Sequence, residues 1–255
     1  MPYQVAFDAE KQYIINKNTP KLRGFFMKDM IRELLQQHDC VKIAALGSSN
    51  TQRRVTGMHW FDYLELALKA QFGKGAVLCC NMGVGGETSG QILERFDRDC
   101  GAFRQHLTII TCGGNDSYPA HNVSEKEFAD NLRELHRRCR QIGSEVIFQS
   151  YYGCDLARLE KDYAPKLVNF MQIIREVADE CGAYLHDNFA RWEPLRRNET
   201  GLYRMLMIDN LHVNDHGNAV MGLDLLRAFD LDVPEMINKH AAAGVFAQKC
   251  IDLMQ

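Results

Sequence analysis

Five short apolar segments, separated by longer segments with helical periodicity, constrain the fold of this chain more than any other feature. Each is short enough to be a strand buried inside a sheet. They cover residues 41–46, 76–80, 107–112, 145–150 and 183–186. Because strands that alternate with helices form parallel sheets, we expect an α/β fold. The predicted architecture is a three-layer α/β/α sandwich around a five-stranded parallel sheet.

The segments between the strands have helical patterns and, in places, recognisable helix ends. Ser124 and Glu127 have the spacing of a capping box, and Gly182 stands where a helix is expected to end. Residues 191–207 are polar and show no clear period, which predicts an irregular surface segment. The predicted helices cover residues 22–38, 60–72, 88–96, 124–142, 165–181, 216–229 and 234–254.

Length and composition favour a single soluble domain. No repeat or low-complexity linker divides the 255 residues, so we expect an N-terminal arm and helix (1–40), a core (41–229) and a C-terminal helix (234–254). The net charge of −3, without a basic stripe, argues against a nucleic-acid partner. No apolar run is long enough to span a membrane. Amphipathic segments at both ends leave a homo-oligomer open.

The cysteines indicate a reducing compartment. The chain has nine of them, scattered and without a C-x-x-C pair. The N-terminus lacks the basic start and apolar core of a signal peptide. We therefore expect reduced thiols and a cytoplasmic location.

The first apolar segment leads into a small polar loop around Ser49. Ligands of open parallel sheets bind beyond the carboxyl ends of the strands, so this serine is expected to face a crevice. It can act as a nucleophile if a base lies near. The alternative is a polar turn with a helix cap. The nucleophile elbow G-x-S-x-G is excluded, because Thr51 stands where its second glycine belongs.

Two further strand ends carry unusual loops. Gly86 lies in the glycine-rich stretch 83–86, where backbone N–H groups can approach a ligand closely. A dinucleotide fingerprint there fails, because Thr88 occupies the position of its last glycine. Asn115 follows two glycines at the end of the third strand, where its amide can donate to a developing oxyanion. A turn or cap is the simpler alternative for Asn115.

A fourth loop contains Asp209 and His212, three residues apart. At this spacing the carboxylate can hold one imidazole tautomer while the other ring nitrogen acts as a base. His212 and His216 also have the spacing of a metal pair, but no third ligand stands out. The sequence therefore predicts neither a metal nor another cofactor.

Taken together, these residues resemble the blocks of the SGNH hydrolases, also called GDSL-type esterases and acylhydrolases. Ser49, Gly86 and Asn115 fall on the first three blocks, and Asp209 with His212 falls on the last. The resemblance spans about residues 41–229. It departs from the family pattern at Ser48, where aspartate is usual, and at Val213, where proline is usual.

The resemblance implies a flavodoxin-like SGNH hydrolase fold and two-step acyl transfer. Ser49 would be the nucleophile, His212 its base and Asp209 the residue that orients His212. The oxyanion hole would be formed by the amides of Ser49 and Gly86 with the Asn115 side chain. A non-catalytic binding protein of this fold is one alternative. A nucleotide-binding oxidoreductase is another, and it would need the complete glycine fingerprint.

The substrate is expected to be a small ester, with a short acyl group such as acetyl on a polar, sugar-like alcohol. Aromatic faces suit sugar rings, and arginine suits a carboxylate or phosphate. Nothing in the loops predicts the wide apolar groove of a long-chain lipase. A lysophospholipase or thioesterase activity is the alternative within the family. The expected substrate-binding residues are Tyr118, Tyr151, Tyr152, Arg191 and Trp192.

Overall fold

The computed structural model describes residues 27–235, residue 237 and residues 249–254. Within these residues a five-stranded sheet has the order β2-β1-β3-β4-β5, and every neighbouring pair is parallel. The predicted α/β fold with a parallel sheet is therefore confirmed. The strands are Val41–Gly47 (β1), Val77–Gly83 (β2), Leu107–Thr111 (β3), Glu145–Gln149 (β4) and Tyr184–His186 (β5).

The described residues also form nine α-helices, most of them in the connections between strands. The helices are Met27–Leu35 (α1), Trp60–Phe72 (α2), Ser89–Glu94 (α3), Gly114–Ser117 (α4), Glu125–Gln141 (α5), Tyr163–Cys181 (α6), Asn188–Asn198 (α7), Thr200–Arg204 (α8) and Asp215–Ala228 (α9).

Both faces of the sheet are covered by helices. Right-handed crossovers place α2 on one face and α3, α5 and α6 on the other. The contacts agree with this, because α2 packs against α9 while α5 packs against both α3 and α6. All five residues of β3 are consequently buried, which explains why the strands read as continuous apolar runs rather than alternating patterns.

Local signals fix the ends of several helices. The Ser124 hydroxyl accepts a hydrogen bond from the Glu127 amide at 3.1 Å, so the N-cap half of the predicted capping box forms. Gly182 ends α6 with φ +61°, a left-handed conformation that favours glycine. The boundaries of α2 match the predicted ones, because His59 caps that helix and Gly73 ends it.

Two sequence predictions are corrected. The segment 191–207 is largely helical rather than irregular, since α7 and α8 occupy most of it. Three of its apolar members, Trp192, Leu195 and Tyr203, are fully buried. Their packing stabilises the helices, although the many charged residues around them obscure the helical period in the sequence. Strand β2 continues to Gly83, so the start of the predicted glycine-rich loop is part of the sheet.

Some predictions concern residues outside those described. The predicted arm over residues 1–20 lies outside them, as does most of the predicted C-terminal helix over residues 234–254. Among the described helices, none has both the length and the apolar character required to cross a bilayer.

Candidate active site

Ser49 lies in a tight turn directly after β1. We call residues 48–52 the nucleophile loop. The Ser48 carbonyl accepts hydrogen bonds from the amides of Thr51 and Gln52, at 3.0 and 2.9 Å. The Asn50 carbonyl accepts from the Trp60 indole at 2.8 Å, and His59 Nε2 lies 3.3 Å from it. The loop is thus folded on itself and anchored to the start of α2.

Gly47 allows this loop to fold back onto the sheet. A Cβ atom at this position would lie 2.3 Å from the Thr111 carbonyl oxygen and 2.4 Å from the Thr51 hydroxyl. The first contact is with the backbone of β3, which cannot move aside as a flexible side chain would. The close approach of β1, β3 and the nucleophile loop therefore requires glycine.

Asp209 and His212 lie in the segment between α8 and α9. We call residues 205–214 the acid–histidine loop. One Asp209 carboxylate oxygen accepts hydrogen bonds from the amides of Leu211 and His212, at 2.7 and 2.8 Å. An aspartate that accepts from the residues following it closes a local turn. This turn places the His212 ring beside the carboxylate.

The structure brings Ser49, His212 and Asp209 together. His212 Nε2 lies 3.0 Å from Ser49 Oγ. On the other side of the ring, Nδ1 lies 2.8 Å from the nearer Asp209 oxygen. Because a carboxylate only accepts, Nδ1 carries the proton and Nε2 of the neutral ring accepts from the serine hydroxyl. The three groups form an unbroken hydrogen-bonded line.

The Asp209 carboxyl is held in its charged form. Partial burial by itself raises the pKa of this group. Hydrogen bonds from the His212 ring and from the Leu211 amide outweigh burial, so the pKa lies below the usual aspartate value. Asp209 consequently keeps its charge at pH values where an ordinary aspartate begins to be protonated.

The predicted oxyanion amides of Ser49 and Gly86 are available to a ligand. Within the described part of the chain, neither N–H has a hydrogen-bond acceptor. Gly86 has φ +86° and open space where a Cβ would stand. A Cβ on its neighbour Gly85 would lie 3.9 Å from Ser49 Cβ. The glycine loop therefore passes directly beside the nucleophile loop.

Asn115 lies in α4, at the end of β3, and its side chain reaches the same glycine loop. Its Nδ2 donates to the Glu87 carbonyl at 2.8 Å. An amide nitrogen carries two protons, so this bond orients the group and leaves one proton for another acceptor. Asn115 thus contacts the glycine loop at the residue that follows Gly86.

Sequence reasoning missed Arg95, a buried cation that joins these loops. Its guanidinium donates to the Gly47 carbonyl at 3.1 Å and to the Glu87 carboxylate at 2.6 Å. Glu87 is the residue after Gly86, so Arg95 ties the end of β1 to the glycine loop. A basic residue near the end of a predicted helix gave no sequence signal of this role.

The expectation that Tyr151, Tyr152 and Trp192 contact substrate is corrected. All three side chains are buried, Tyr152 and Trp192 completely, so no ring face is open to a sugar. The Tyr151 hydroxyl lies 3.1 Å from Ser48 Oγ. Burial raises the pKa of Tyr151 to about 12, against hydrogen bonds from Ser48 and Ser49. The hydroxyls of Tyr151 and Tyr152 thus contact the nucleophile loop, and Trp192 packs against Tyr152.

Arg191 and Tyr118 are also engaged by other residues of the chain. The Nε and Nη2 atoms of Arg191 donate to the two oxygens of the fully buried Asp224 carboxylate in α9. A buried carboxylate needs such a partner, so the expectation that Arg191 binds substrate is corrected as well. Tyr118 is half-buried and packs edge-on against Tyr163, with ring centroids 5.3 Å apart.

A small cleft opens at Ser49 and His212. Arg54 and Gln52 give it polar walls, and Val55 and Ile208 give it apolar ones. His59 also lines the cleft, and burial lowers its pKa to about 4 despite the nearby charge of Asp62. Sequence reasoning missed these four lining residues and His59, because they follow no motif.

The alternative of a metal pair at His212 and His216 finds no support in this geometry. The two ring nitrogens of His212 already face Asp209 and Ser49. Among the described residues, no group of three or more histidine, cysteine, aspartate or glutamate side chains is arranged to hold a metal ion.

Comparison with solved structures finds the same fold in known esterases. The chain resembles an acetylxylan esterase from Geobacillus stearothermophilus, with a TM-score of 0.65, 16% identity, and coverage of 75% of this chain and 95% of that one. The acetyl xylan esterase AlAXEase has a TM-score of 0.66 and 17% identity, with coverage of 74% of this chain and 99% of that one. A lipase/acylhydrolase from Enterococcus faecalis has a TM-score of 0.63 and 20% identity, with coverage of 76% of this chain and 98% of that one.

Sequence comparison identifies the family. No curated protein matches the chain. The profile of the GDSL-like lipase/acylhydrolase family, however, matches residues 45–220, which is more than half of the sequence. This range includes all five predicted catalytic and oxyanion residues. The chain belongs to the GDSL-like lipase/acylhydrolase family and is an ester-hydrolysing enzyme.

Proposed function

We propose that the enzyme is a serine esterase that removes short acyl groups, acetyl above all, from esters of a polar alcohol such as a carbohydrate. The hydrogen-bonded line from Ser49 through His212 to Asp209 carries this proposal. A serine hydroxyl is a weak nucleophile by itself, and an adjacent base held by a carboxylate is the usual means of activating it.

In the proposed mechanism, Ser49 Oγ attacks the ester carbonyl while His212 Nε2 takes its proton. The negative charge on the carbonyl oxygen is stabilised by the amides of Ser49 and Gly86 and by the Asn115 side chain. His212 then protonates the departing alcohol, leaving an acyl group on Ser49. A water molecule, deprotonated by His212, then attacks the acyl carbon. The bond to Ser49 Oγ breaks, His212 returns the proton to this oxygen, and the acyl group leaves as an acid.

A structural neighbour supports this assignment of roles. The Geobacillus stearothermophilus esterase has structures described as catalytic mutants at a serine, an aspartate and a histidine, the last two being three positions apart. Asp209 and His212 have the same spacing. The names of the two acetylxylan esterases also favour an acetyl group on a sugar alcohol as the substrate here.

The cleft itself favours a short acyl group. It is small, and its mouth carries the polar side chains of Gln52 and Arg54, which suit a hydrophilic alcohol. One observation favours the second candidate, a lysophospholipase or thioesterase. Val84 and Ile208 are exposed apolar side chains in the loops that carry Gly86 and His212, where a longer acyl chain would find contact.

We further propose a cytoplasmic location, because all nine cysteines are unpaired thiols.

Replacing Ser49 by alanine tests the mechanism. The Ser49→Ala variant is expected to lose p-nitrophenyl acetate hydrolysis by a factor of about 10⁴ or more and to keep its thermal stability. It should also no longer be labelled by a fluorophosphonate. Ser48→Ala is the matched control, since it removes the neighbouring hydroxyl and leaves labelling intact. Labelling that followed Ser48 instead of Ser49 would overturn the assignment.

A series of p-nitrophenyl esters tests the substrate class. Acetyl esters are expected to have a higher kcat/KM than decanoyl esters, because the cleft offers little room for a chain. A preference for decanoyl would reject the short-chain proposal and favour the second candidate. Acetylated and deacetylated xylo-oligosaccharides then test the alcohol, with acetate release as the measurement.

A further inference from the structure

Tyr152 is the buried residue that links the two loops of the proposed site. It follows β4 and is completely buried, with its ring 5.2 Å from that of Trp192. No face of the ring reaches the cleft, so contact with substrate is excluded. Its hydroxyl, however, lies between the nucleophile loop and the acid–histidine loop.

The hydroxyl of Tyr152 contacts both loops next to the reacting residues. It lies 2.8 Å from Asn50 Oδ1, on the residue that follows Ser49. It accepts a hydrogen bond from the Val213 amide at 3.1 Å and donates to the Leu211 carbonyl. Leu211 and Val213 are the two neighbours of His212 along the chain.

The single proton of the Tyr152 hydroxyl determines which of its three contacts it donates to and which it accepts from. A tyrosine hydroxyl has one proton and two lone pairs, so it cannot donate to both Asn50 Oδ1 and the Leu211 carbonyl. The Asn50 Nδ2 atom is buried without a partner among the described residues. Turning the amide so that Nδ2 faces the hydroxyl satisfies all three contacts. The hydroxyl then accepts from Asn50 and Val213 and donates to Leu211.

We propose that Tyr152 is a positioning residue, which sets the distance between His212 Nε2 and Ser49 Oγ by fastening both loops to one hydroxyl. This inference rests on the proposed roles of Ser49 and His212. The acid–histidine loop needs such an attachment because the Asp209 side chain is half exposed. Burial also keeps the pKa of Tyr152 well above its usual value, so the hydroxyl stays protonated and takes no part in proton transfer.

The effect of the hydroxyl is expected on kcat rather than on KM. Without it, the Leu211 carbonyl and the Val213 amide lose a shared partner in a buried place, and unsatisfied groups of this kind shift to find new ones. The backbone on both sides of His212 then moves, and with it the ring. Substrate binding changes little, since Tyr152 does not reach the cleft.

The substitution Tyr152→Phe tests the proposal, because it keeps the ring and removes the hydroxyl. We expect kcat for p-nitrophenyl acetate and the rate of fluorophosphonate labelling to fall by about 10-fold to 100-fold, with KM little changed. Tyr203→Phe is the matched control. Its ring also packs against Trp192, and its buried hydroxyl has no hydrogen-bond partner among the described residues.

The outcomes separate positioning from general stability. A loss of kcat in Tyr152→Phe that Tyr203→Phe lacks, at similar melting temperatures, supports the proposal. An unchanged kcat in Tyr152→Phe overturns it. Equal losses in the two variants, in step with their melting temperatures, also overturn it by showing a merely structural role.

Two further variants keep the test decisive. Should Tyr152→Phe fail to fold, Asn50→Ala cuts the attachment at the nucleophile loop alone, and it must then lower kcat without lowering the melting temperature. A parental kcat in Asn50→Ala would overturn the proposal in that case. Ser49→Ala is run alongside. If that variant stays active the proposed mechanism itself fails, whereas an inactive Ser49→Ala beside a fully active Tyr152→Phe refutes the positioning role alone.

Discussion

The nucleophile loop and the acid–histidine loop line the same cleft but differ in how deeply their side chains are buried. In the nucleophile loop, Ser48 and Thr51 are fully buried, and the loop is anchored to groups from other elements, such as the Trp60 indole. In the acid–histidine loop, Met205 and Ile208 are 63% and 54% exposed. The first loop is therefore mostly buried, whereas the second exposes several of its side chains although Leu206 and Val213 are buried.

The acid–histidine loop also holds its shape through its own hydrogen bonds. The Ile208 amide donates to the His212 carbonyl at 2.7 Å, and the Asn214 amide donates to the Leu206 carbonyl at 2.9 Å. The Asp209 carboxylate adds its bonds to the Leu211 and His212 amides. These bonds fix the local turn, while the Tyr152 hydroxyl and the buried side chains of Leu206 and Val213 attach the loop to the rest of the domain.

Removing the base, which belongs to the acid–histidine loop, is expected to lower activity more than any other change to the two loops. The variant His212→Ala should lower kcat/KM by a factor of about 10⁴–10⁶, because Ser49 then has no group to take its proton. Steady-state hydrolysis of p-nitrophenyl acetate measures this. His216→Ala, one turn along on an exposed face, is the control and should stay near the parent. Equal damage from both would move the base assignment away from His212.

The substitution Asp209→Asn separates the charge of the acid–histidine loop from its shape. An asparagine oxygen can still accept from the Leu211 and His212 amides, so the turn and the melting temperature should be retained. The loss of charge should lower kcat by a factor of about 10²–10⁴.

The exposed Asp215→Asn is the control for Asp209→Asn, measured by the same kinetics and by thermal unfolding. A large fall in melting temperature with kcat unaffected would show that the carboxylate serves the fold of the loop and not the reaction.

A further prediction concerns pH and two buried histidines, His59 at the start of α2 and His186 in β5. Burial lowers the pKa values of His59 and His186 to about 4, while the unfolded chain takes up those protons near 6.5. The unfolded state therefore binds more protons below pH 6.5, so stability is lost as pH falls from about 6.5 to about 4. Over this pH range, each histidine lowers the free energy of unfolding by on the order of 3 kcal/mol.

Urea unfolding at several pH values checks this dependence. The variant His59→Asn keeps an acceptor for the helix cap and removes the titrating ring, so its unfolding free energy should fall less steeply over the same interval. His186 still titrates in that variant, so part of the slope remains. Identical slopes in the parent and the variant would show that the pKa of His59 does not differ between the folded and unfolded states.

Both loops could be located from the sequence, but the roles of their residues could not be assigned from position alone. A spacing of three residues predicts a local interaction between Asp209 and His212. Ser49, Gly86 and Asn115 each follow a predicted strand, and parallel strands end at one edge of the sheet. Each pattern has a simpler alternative, and only their joint resemblance to the SGNH hydrolase blocks predicts one site.

What escaped prediction depends on burial and on distant partners. The loops near Tyr152 and Trp192 read as polar and exposed, since nothing in the sequence shows that α7 and α8 pack inward. Arg191 looked available to a ligand because its partner, Asp224, lies 33 positions further along. The hydrogen bonds of Arg95 and Tyr152 likewise join residues that only the fold brings together.

The strand order β2-β1-β3-β4-β5 decides where chemistry can occur in this molecule. From β1 the chain first builds towards one edge of the sheet and later continues from β3 towards the other. The connections that leave β1 and β3 therefore turn to opposite faces, and they part to form a crevice at this switch point. The crevice is a product of connectivity rather than of particular side chains. Any chain with this strand order therefore places a serine that follows β1 in such a crevice, even if its other residues differ.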